Sequence, residues 1–476
     1  MTRFIKTICY CLCCLAIFVS GCSSENDRTE DGRVIVHYWE KWTSFQADAM
    51  QQVVDDFNAS QDRIFVKMLS VSSIDQKLML ATAGGNPPDV AGVWSHTINV
   101  FAENGALTPL NQYLEAANIT RDDYIPVFWD LCGHRGYQWA LPTTPATLAL
   151  HWNKRLFKEA DLDPNHPPQS IEELDRMAEQ LTIVEVDRDN QTVQLSFADL
   201  TDAEKQSKDF KIIQLGHSPD IPGWFRELWG FWFGGSLWDG NNNITITSDE
   251  NRRAFEWYRS YFEKYGLRNL REFGSSLGNH ASPQDGFLSE RVAMEIHGVW
   301  TYNYISRFAP HINWAAAPFP SFDPKANPDV TVVECDLLVI PAGAKNPSEA
   351  FEFIRYVNTR TAMEKLCTGH RKFSPLADVS DEFIDQHPNP YIEVFMNLAK
   401  SENARYVPRI TIWNEYKDEL LTGLDRIRSM DVSTEASLQE VSSRTQWKMD
   451  RTAKRWEMIR ENRLSLWKRL AEAAKQ

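Results

Sequence analysis

The chain is 476 residues long, which is enough for roughly two or three domain-sized hydrophobic cores. Its formal net charge of −15 at pH 7 argues against nucleic acid as a partner and against tight docking on anionic lipid. The 17 tryptophans could all serve core packing, but flat rings are also what a ligand-stacking surface needs.

The N-terminus has the pattern of a lipoprotein signal peptide. Basic residues precede an apolar run over residues 7–19 that is too short for a stable membrane span, and small residues stand directly before Cys22. We predict a signal peptide over residues 1–21, a lipid on the Cys22 thiol, and a polar tether over residues 22–32. A plain signal peptide that happens to contain cysteines is the alternative.

Three cysteines follow the predicted lipid site, which is an odd number for an exported protein. They are Cys132, Cys335 and Cys367. One disulfide at most could form among them, and we expect buried free thiols instead.

Strand-like and helix-like apolar patterns alternate along residues 33–104. Glycine pairs and prolines end the helical patterns. The predicted elements are strand 33–38, helix 47–57, strand 64–69, helix 74–83, strand 90–93 and helix 98–104. This order predicts a parallel sheet with helices on both faces.

Ligands of such sheets bind beyond the carboxyl ends of the strands. The candidate contacts are therefore Trp39, Glu40 and Trp42 after the first strand, and Trp94 after the third. Glu40 could accept a hydroxyl or balance a cationic ligand, and the alternative is a solvated loop carboxylate.

A long ordered motif follows at Trp139–Pro142 and Leu148–Pro164. It resembles the signature of the bacterial extracellular solute-binding proteins that serve sugar-type ABC importers. Further matches in the order of that family lie at residues 80–90, 101–110, 287–294 and 348–357.

The resemblance implies an α/β, two-lobed, periplasmic-binding-protein-like (type II) fold with a hinge. Lobe one would comprise residues 33–142 and 318–366, and lobe two residues 143–317 and 367–435. Residues 436–476 would form an added C-terminal helix, for which the resemblance offers little guidance. We expect Trp456 and Trp467 to pack this helix on lobe two, with a partner-binding or membrane-facing helix as the alternative.

The resemblance also places an aromatic platform at Trp300. Trp229 and Trp232 lie in the aromatic stretch from residue 224 to residue 238. An α-helical reading of this stretch turns Trp229 towards the core and Trp232 elsewhere, so Trp232 is the better candidate contact. Core packing is the alternative for all three rings.

The remaining candidates are polar. They are Asp89, Thr143, Thr144, Glu334, Asp336 and Arg371. Asp89 could equally cap a strand and its loop, and the threonines could serve turn chemistry. Glu334 and Asp336 could bind hydroxyls or pair with Arg371.

The function implied by the resemblance is capture of a carbohydrate, an oligosaccharide rather than a monosaccharide, by lobe closure. The ligand would then pass to the permease of an ABC importer. We expect an exported, lipid-anchored monomer without catalytic residues, metal or cofactor. The alternatives are a non-sugar solute, signalling to a sensor kinase and, remotely, a carbohydrate-active enzyme with a carboxylate pair.

Overall fold

The computed structural model of the protein describes residues 28–473, so the predicted signal peptide, Cys22 and the first part of the tether lie outside the described residues. The strands are β1 (Val34–Glu40), β2 (Ile64–Ser70), β3 (Val90–Trp94), β4 (Gly133–His134), β5 (Tyr137–Gln138), β6 (Ala140–Asn153), β7 (Ile183–Arg188), β8 (Gln191–Ser196), β9 (Lys211–Gln214), β10 (Met294–Gly298), β11 (Trp314–Ala317), β12 (Thr331–Val339) and β13 (Ala404–Arg405).

The helices follow the strands in alternation over much of the chain. They are α1 (Ser44–Ser60), α2 (Ile74–Ala83), α3 (Ile98–Glu103), α4 (Asn111–Ala117), α5 (Pro126–Leu131), α6 (Lys154–Glu159), α7 (Ile171–Leu181), α8 (Asp202–Ser207), α9 (Asp249–Tyr265), α10 (Leu267–Ser275), α11 (Thr301–Phe308), α12 (Pro347–Val357), α13 (Arg360–His370), α14 (Asp381–Asp385), α15 (Ile392–Ala399), α16 (Trp413–Arg428) and α17 (Thr434–Ala473). The six elements predicted between residues 33 and 104 are confirmed.

One sheet runs through the molecule in the order β10-β6-β12-β3-β1-β2, with β11 on β6 and β13 on β12. β1 pairs in parallel with both β2 and β3, as predicted. β12 pairs antiparallel with β3, so the sheet is mixed and not wholly parallel. The carboxyl ends of β1 and β3 therefore meet at one edge, where the candidate aromatic residues lie.

The buried strand β6, with 14 residues, connects the two lobes. Its first half pairs with β12 on the lobe-one side, and its second half pairs with β10 and β11 on the lobe-two side. The predicted lobe boundary between residues 142 and 143 thus lies within a continuous strand.

The core contacts differ from the predicted lobe boundary at residue 366. Cys367, Leu376 and Phe383 pack in the same core as β1 and α1, which belongs to lobe one. Trp413 and Tyr416 of α16 pack in the lobe-two core. The chain therefore enters lobe two through the segment that precedes α16, and the predicted boundary is too early. The apolar faces of α13 and α14 decide this, because they are buried against lobe one.

The three cysteines of the described residues are free and buried, as expected. Burial raises the pKa of the thiols of Cys132, Cys335 and Cys367, so these groups are poor nucleophiles.

The added C-terminal helix is confirmed as α17, which has 40 residues. The prediction that Trp456 and Trp467 pack on lobe two is wrong. Both lie in a central core with Trp139, which belongs to lobe one. Between residues 28 and 473, no helix combines the length and the apolar character needed to cross a membrane.

Candidate ligand-binding cleft

Two neighbouring cavities lie at the carboxyl ends of β1 and β3. The first, which we call the aromatic cavity, encloses about 220 Å³, and the second, the adjoining cavity, about 140 Å³. They share Ala146, Trp300 and Glu334 as lining residues, so together they form one cleft.

Aromatic rings from both lobes line the aromatic cavity. On the lobe-one side, Trp42 and Trp94 meet edge to face with ring centroids 6.3 Å apart. On the lobe-two side, Trp224 and Trp300 lie 6.2 Å apart, and Tyr304 lies beside them. All five rings are partly exposed, which leaves apolar faces open to a ligand.

The backbone of β10 positions Trp300. The Trp300 ring lies so close to Gly298 that a Cβ atom on Gly298 would come within 2.0 Å of it. Glycine is therefore required two residues before the platform, because any larger residue would displace the ring.

A buried charge network forms the polar side of the same cavity. The Asp336 carboxylate lies 3.2 Å from the Lys41 ammonium and 3.2 Å from the Lys372 ammonium, and Thr144 Oγ1 donates a hydrogen bond to it. Burial alone would raise the pKa of Asp336, but Lys372, Lys41 and Thr144 outweigh it and lower the pKa. Asp336 is therefore a fixed, charged acceptor.

The two lysines also orient the aromatic wall. The Lys41 ammonium lies 5.1 Å from the centroid of the Trp42 ring and 5.4 Å from that of Trp94. The Lys372 ammonium lies 5.4 Å from the Trp42 centroid. Cation–π attraction in this buried setting holds Trp42 between the two charges.

A second ion pair lies where the two cavities meet. His96 Nδ1 is 2.6 Å from Glu334 Oε1, and the His96 ring stacks on Trp94. Burial would lower the pKa of His96, but the hydrogen bond and the charge of Glu334 outweigh it and raise the pKa. Glu334 remains partly exposed to the cleft.

Two residues that line the aromatic cavity each carry a polar atom with no hydrogen-bond partner among the described residues. These atoms are Trp42 Nε1, a donor, and Asn303 Oδ1, an acceptor, and both are buried. Buried polar atoms without a partner are costly. A hydroxyl group both donates and accepts, so a polyhydroxylated ligand could satisfy both atoms.

The structure brings six of the sequence candidates together in this cleft. They are Trp42, Trp94, Thr144, Trp300, Glu334 and Asp336. The others lie elsewhere or point away from it.

Trp229 and Trp232 lie in the lobe-two core, with 2% and 1% of their surface exposed. Their indole N–H groups donate to the carbonyl oxygens of Pro219 and Val330. The α-helical reading turned Trp229 towards the core correctly but misplaced Trp232, because Arg226–Phe233 forms a 3₁₀ helix. Residues three apart share a face in a 3₁₀ helix, so both rings face the core.

Glu40 and Asp89 are buried and bonded within lobe one. Glu40 Oε1 accepts the backbone N–H of Lys41 at 2.6 Å, and Tyr38 donates to its other oxygen. Asp89 accepts the backbone N–H groups of His37 and Asn346. The strand-capping alternative therefore describes Asp89, and the reading of Glu40 as a loop carboxylate facing solvent or ligand is wrong.

Three further candidates do not line either cavity. Trp39 lies on β1 opposite Leu69 of β2. The Thr143 hydroxyl donates to the carbonyl oxygen of Asp336. Arg371 donates to the hydroxyl of Ser306, and its neighbour Lys372 forms the pair with Asp336.

Sequence reasoning missed five residues that build the cleft: Lys41, Trp224, Asn303, Tyr304 and Lys372. Trp224 belongs to the recognised aromatic stretch, but Phe225 has a φ of +65°, which turns the chain between Trp224 and the core helix. Lys41 could have been found, because it stands between the two candidates Glu40 and Trp42.

Comparison with known proteins assigns the chain to a family. The model of the family described as bacterial extracellular solute-binding protein matches residues 52–389. The chain belongs to this family. Because the family is described as extracellular, this solute-binding protein is an exported protein.

Some similar proteins are named for carbohydrates, and others, over shorter segments, are named for sn-glycerol 3-phosphate: one such protein of Yersinia pestis is 24% identical over 168 residues, which cover 34% of this chain and 37% of that relative. A maltotriose-binding protein of Pyrococcus abyssi is 20% identical over 337 residues, which cover 70% of this chain and 64% of that relative. A multiple sugar-binding protein of Streptococcus mutans is 21% identical over 364 residues, which cover 74% of this chain and 77% of that relative. The solved complex of CpMnBP1 with mannobiose superposes with a TM-score of 0.70 at 25% identity, covering 86% of this chain and 98% of that one. The solute-binding protein has the same two-lobed type II fold.

Proposed function

We propose that this protein captures a carbohydrate, an oligosaccharide of at least two units, in the cleft formed by the two cavities. The observation that carries the proposal is the aromatic cavity itself. It combines open tryptophan faces from both lobes with a fixed carboxylate and two unpartnered polar atoms. Sugars present apolar C–H faces and hydroxyl edges, which match these two kinds of surface.

The shape of the cleft favours more than one sugar unit. Trp300 and Glu334 line both cavities, so a ligand that stacks on Trp300 can extend to either side. The adjoining cavity offers Phe225 and Trp413 as further apolar surface. The carbohydrate names of the two relatives that match over most of this chain, and the mannobiose bound in the similar solved structure, support the same ligand class.

Binding without chemistry is the role we propose for the carboxylates. A general acid needs a raised pKa, whereas the pKa of Asp336 is lowered by Lys372 and Lys41. We propose that the lobes close on the ligand, because some contacts form only when both lobes touch it. The closed, liganded protein then delivers the carbohydrate to the permease of an ABC importer.

We further propose that the protein acts as a monomer held at the membrane by a lipid on Cys22. Intact-mass measurement of the exported protein tests this anchor: the predicted result is a chain that starts at Cys22 and carries a lipid. The Cys22→Ala variant should leave the membrane fraction. An unmodified N-terminus, or membrane association that Cys22→Ala does not alter, would contradict the anchor.

A thermal-shift screen of the purified protein tests the ligand class. Binding to the folded state alone must raise the melting temperature by mass action. The panel comprises mono-, di- and trisaccharides, with a polyamine and a glycerol phosphate as non-sugar solutes. We expect a shift with at least one neutral di- or trisaccharide. A shift only with the polyamine or the glycerol phosphate would overturn the carbohydrate assignment and keep the fold.

A further inference from the structure

The long C-terminal helix α17 begins beyond the segment that the family model matches, which ends at residue 389. Its first half is attached to lobe two. Leu438, Val441 and Met449 pack in the lobe-two core. Gln446 adds polar contacts, because its side chain accepts the backbone N–H of Ile244 at 2.9 Å and donates to the carbonyl oxygen of Asn242 at 2.7 Å.

The second half of α17 is attached to lobe one. The Trp467 ring is fully buried and packs on Trp139, with ring centroids 4.9 Å apart, and on Tyr137 at 5.4 Å. Trp456 stacks on Trp467, and the Arg135 guanidinium lies 3.9 Å from the centroid of the Trp456 ring. We call this cluster the lobe-one anchor.

A third cavity, of about 400 Å³, lies between the two points of attachment and is called the rear cavity. Lobe one contributes Glu103 and His134, lobe two contributes Trp238, and the middle of α17 contributes Met449 and Thr452. The middle of the helix therefore bridges a gap between the lobes.

The chain segment that crosses into lobe two lines both the proposed sugar cleft and the rear cavity. Tyr406, Val407 and Pro408 line the adjoining cavity of the cleft. Ile410, Thr411 and Ile412 line the rear cavity. Arg409, between these two groups, lines both spaces, so a rotation of the lobes about this segment changes the rear cavity together with the cleft.

An α-helix of this length is a stiff connection. It extends about 60 Å, and the sequence from residue 434 to residue 473 has no proline or glycine at which it would readily bend. A rotation of the lobes therefore has to strain or release one of the two attachments. Burial of the two tryptophans opposes release, because each buries a large apolar surface.

We propose that α17 is a strap that limits the rotation of the two lobes and holds the unliganded protein in a narrow range of cleft openings. The proposal concerns the regulation of the site described under the proposed function, and it depends on lobe rotation in this fold. It does not depend on the identity of the ligand.

Pulsed electron paramagnetic resonance between nitroxide labels on the two lobes tests the strap without any ligand. Suitable positions are Leu80→Cys on lobe one, where the side chain is 72% exposed, and Arg268→Cys on lobe two, where it is 86% exposed. The cysteines of residues 1–22 are replaced by serine for this experiment, and the buried native thiols remain unlabelled.

The strap predicts one narrow distance distribution for the otherwise unaltered chain. Removal of the lobe-one anchor by Trp456→Ala with Trp467→Ala should broaden the distribution and shift its mean. The matched control is Trp447→Ala on the same helix, where the ring is 58% exposed, and it should leave the distribution unchanged.

A broad distribution in the unaltered chain, or an identical distribution after removal of the anchor, would overturn the proposal. Circular dichroism checks that the double variant folds. Should it not fold, Trp456→Ala alone gives the second test, because it removes the contacts with Arg135 and Trp467 and leaves Trp467 on Trp139. Failure of every sugar to bind would not alter these distances, so the two proposals fail separately.

Discussion

Two groups of tryptophans in this protein do different work. Trp229 and Trp232 are fully buried in the lobe-two core, and their N–H groups are bonded to backbone carbonyls. Trp42 and Trp300 are partly exposed on facing walls of a cavity, and Trp42 Nε1 has no partner among the described residues. The rings of the first group are buried and their N–H groups are bonded within the protein. The rings of the second group have exposed surface that a ligand can contact, and the N–H group of Trp42 is unpaired among the described residues.

Residue type alone does not identify a binding surface. Trp229, Trp232 and Trp300 all occur in aromatic-rich sequence close to glycine, yet the local backbone decides where each ring points. The 3₁₀ geometry of Arg226–Phe233 turns two rings inward, and Gly298 leaves space that positions Trp300 beside the cavity. Four predictions follow from the contrast between core and cleft.

The largest expected effect is the loss of a core ring. Trp229→Ala should lower the free energy of unfolding by about 3–5 kcal/mol, because a fully buried aromatic side chain leaves a cavity that cannot collapse completely. Chemical denaturation measures the change. Trp447→Ala, which removes an exposed ring, is the control and should stay within about 0.5 kcal/mol of the parent protein. Similar losses in both variants would mean that Trp229 is not a core residue.

The polar wall of the cleft should also contribute to stability. Asp336→Asn leaves the buried Lys41 and Lys372 without their shared counter-charge, so we expect a loss of about 3 kcal/mol. Because the pKa of Asp336 is lowered in the folded protein, its contribution is present above the unfolded pKa of about 3.9 and is lost as the pH falls towards the folded pKa.

Denaturation of the parent and the variant at pH 7 and at pH 3 measures this dependence. The difference between the two proteins should shrink at pH 3. Asp249→Asn, in an exposed pair with Arg252, is the matched control and should have little effect at either pH. An equal difference at both pH values would contradict a charged Asp336.

Loss of the Trp300 ring should weaken ligand binding strongly and lower the stability of the fold only slightly. Trp300→Ala should weaken sugar binding by roughly 2 kcal/mol, or about 30-fold in Kd, since aromatic anchors at the centre of a site carry much of the binding energy. Its melting temperature should change less than that of Trp229→Ala, because the Trp300 ring is only partly buried. Equal destabilisation of both variants would place Trp300 with the core group.

The smallest expected effect is a pH dependence at the junction of the two cavities. The pKa of His96 is raised in the folded protein, so its pair with Glu334 stabilises the fold at low pH and is lost as the pH rises through the folded pKa. Both side chains are partly exposed, so the contribution should not exceed about 1 kcal/mol. We expect His96→Gln to be less stable than the parent at pH 5.5 and equally stable at pH 9. A constant difference would exclude this pair as the cause.

The sequence predicted the fold better than the site. The alternating patterns up to residue 104 and the motif at Leu148–Pro164 depend on local spacing and on a long ordered match, and both led to the correct architecture. The position of Trp232 was missed because 3₁₀ and α periodicities differ by less than one residue per turn.

The charge network was missed for a different reason. Lys41, Asp336 and Lys372 come from distant parts of the chain and meet only in the folded protein. We predicted that Arg371 could pair with Asp336, whereas the cation that pairs with Asp336 is the adjacent Lys372. Arg371 directly follows α13 and has a φ of +55°, and this turn separates the directions of the two side chains.

Isothermal titration calorimetry shows whether the carbohydrate binds in the cleft. It is carried out on the parent protein, Trp300→Ala and Trp447→Ala with the di- or trisaccharide that gives the largest shift in the screen. We predict saturable binding to the parent and to Trp447→Ala, and binding weakened about 30-fold in Trp300→Ala. Equal binding by all three proteins would contradict the cleft as the carbohydrate site.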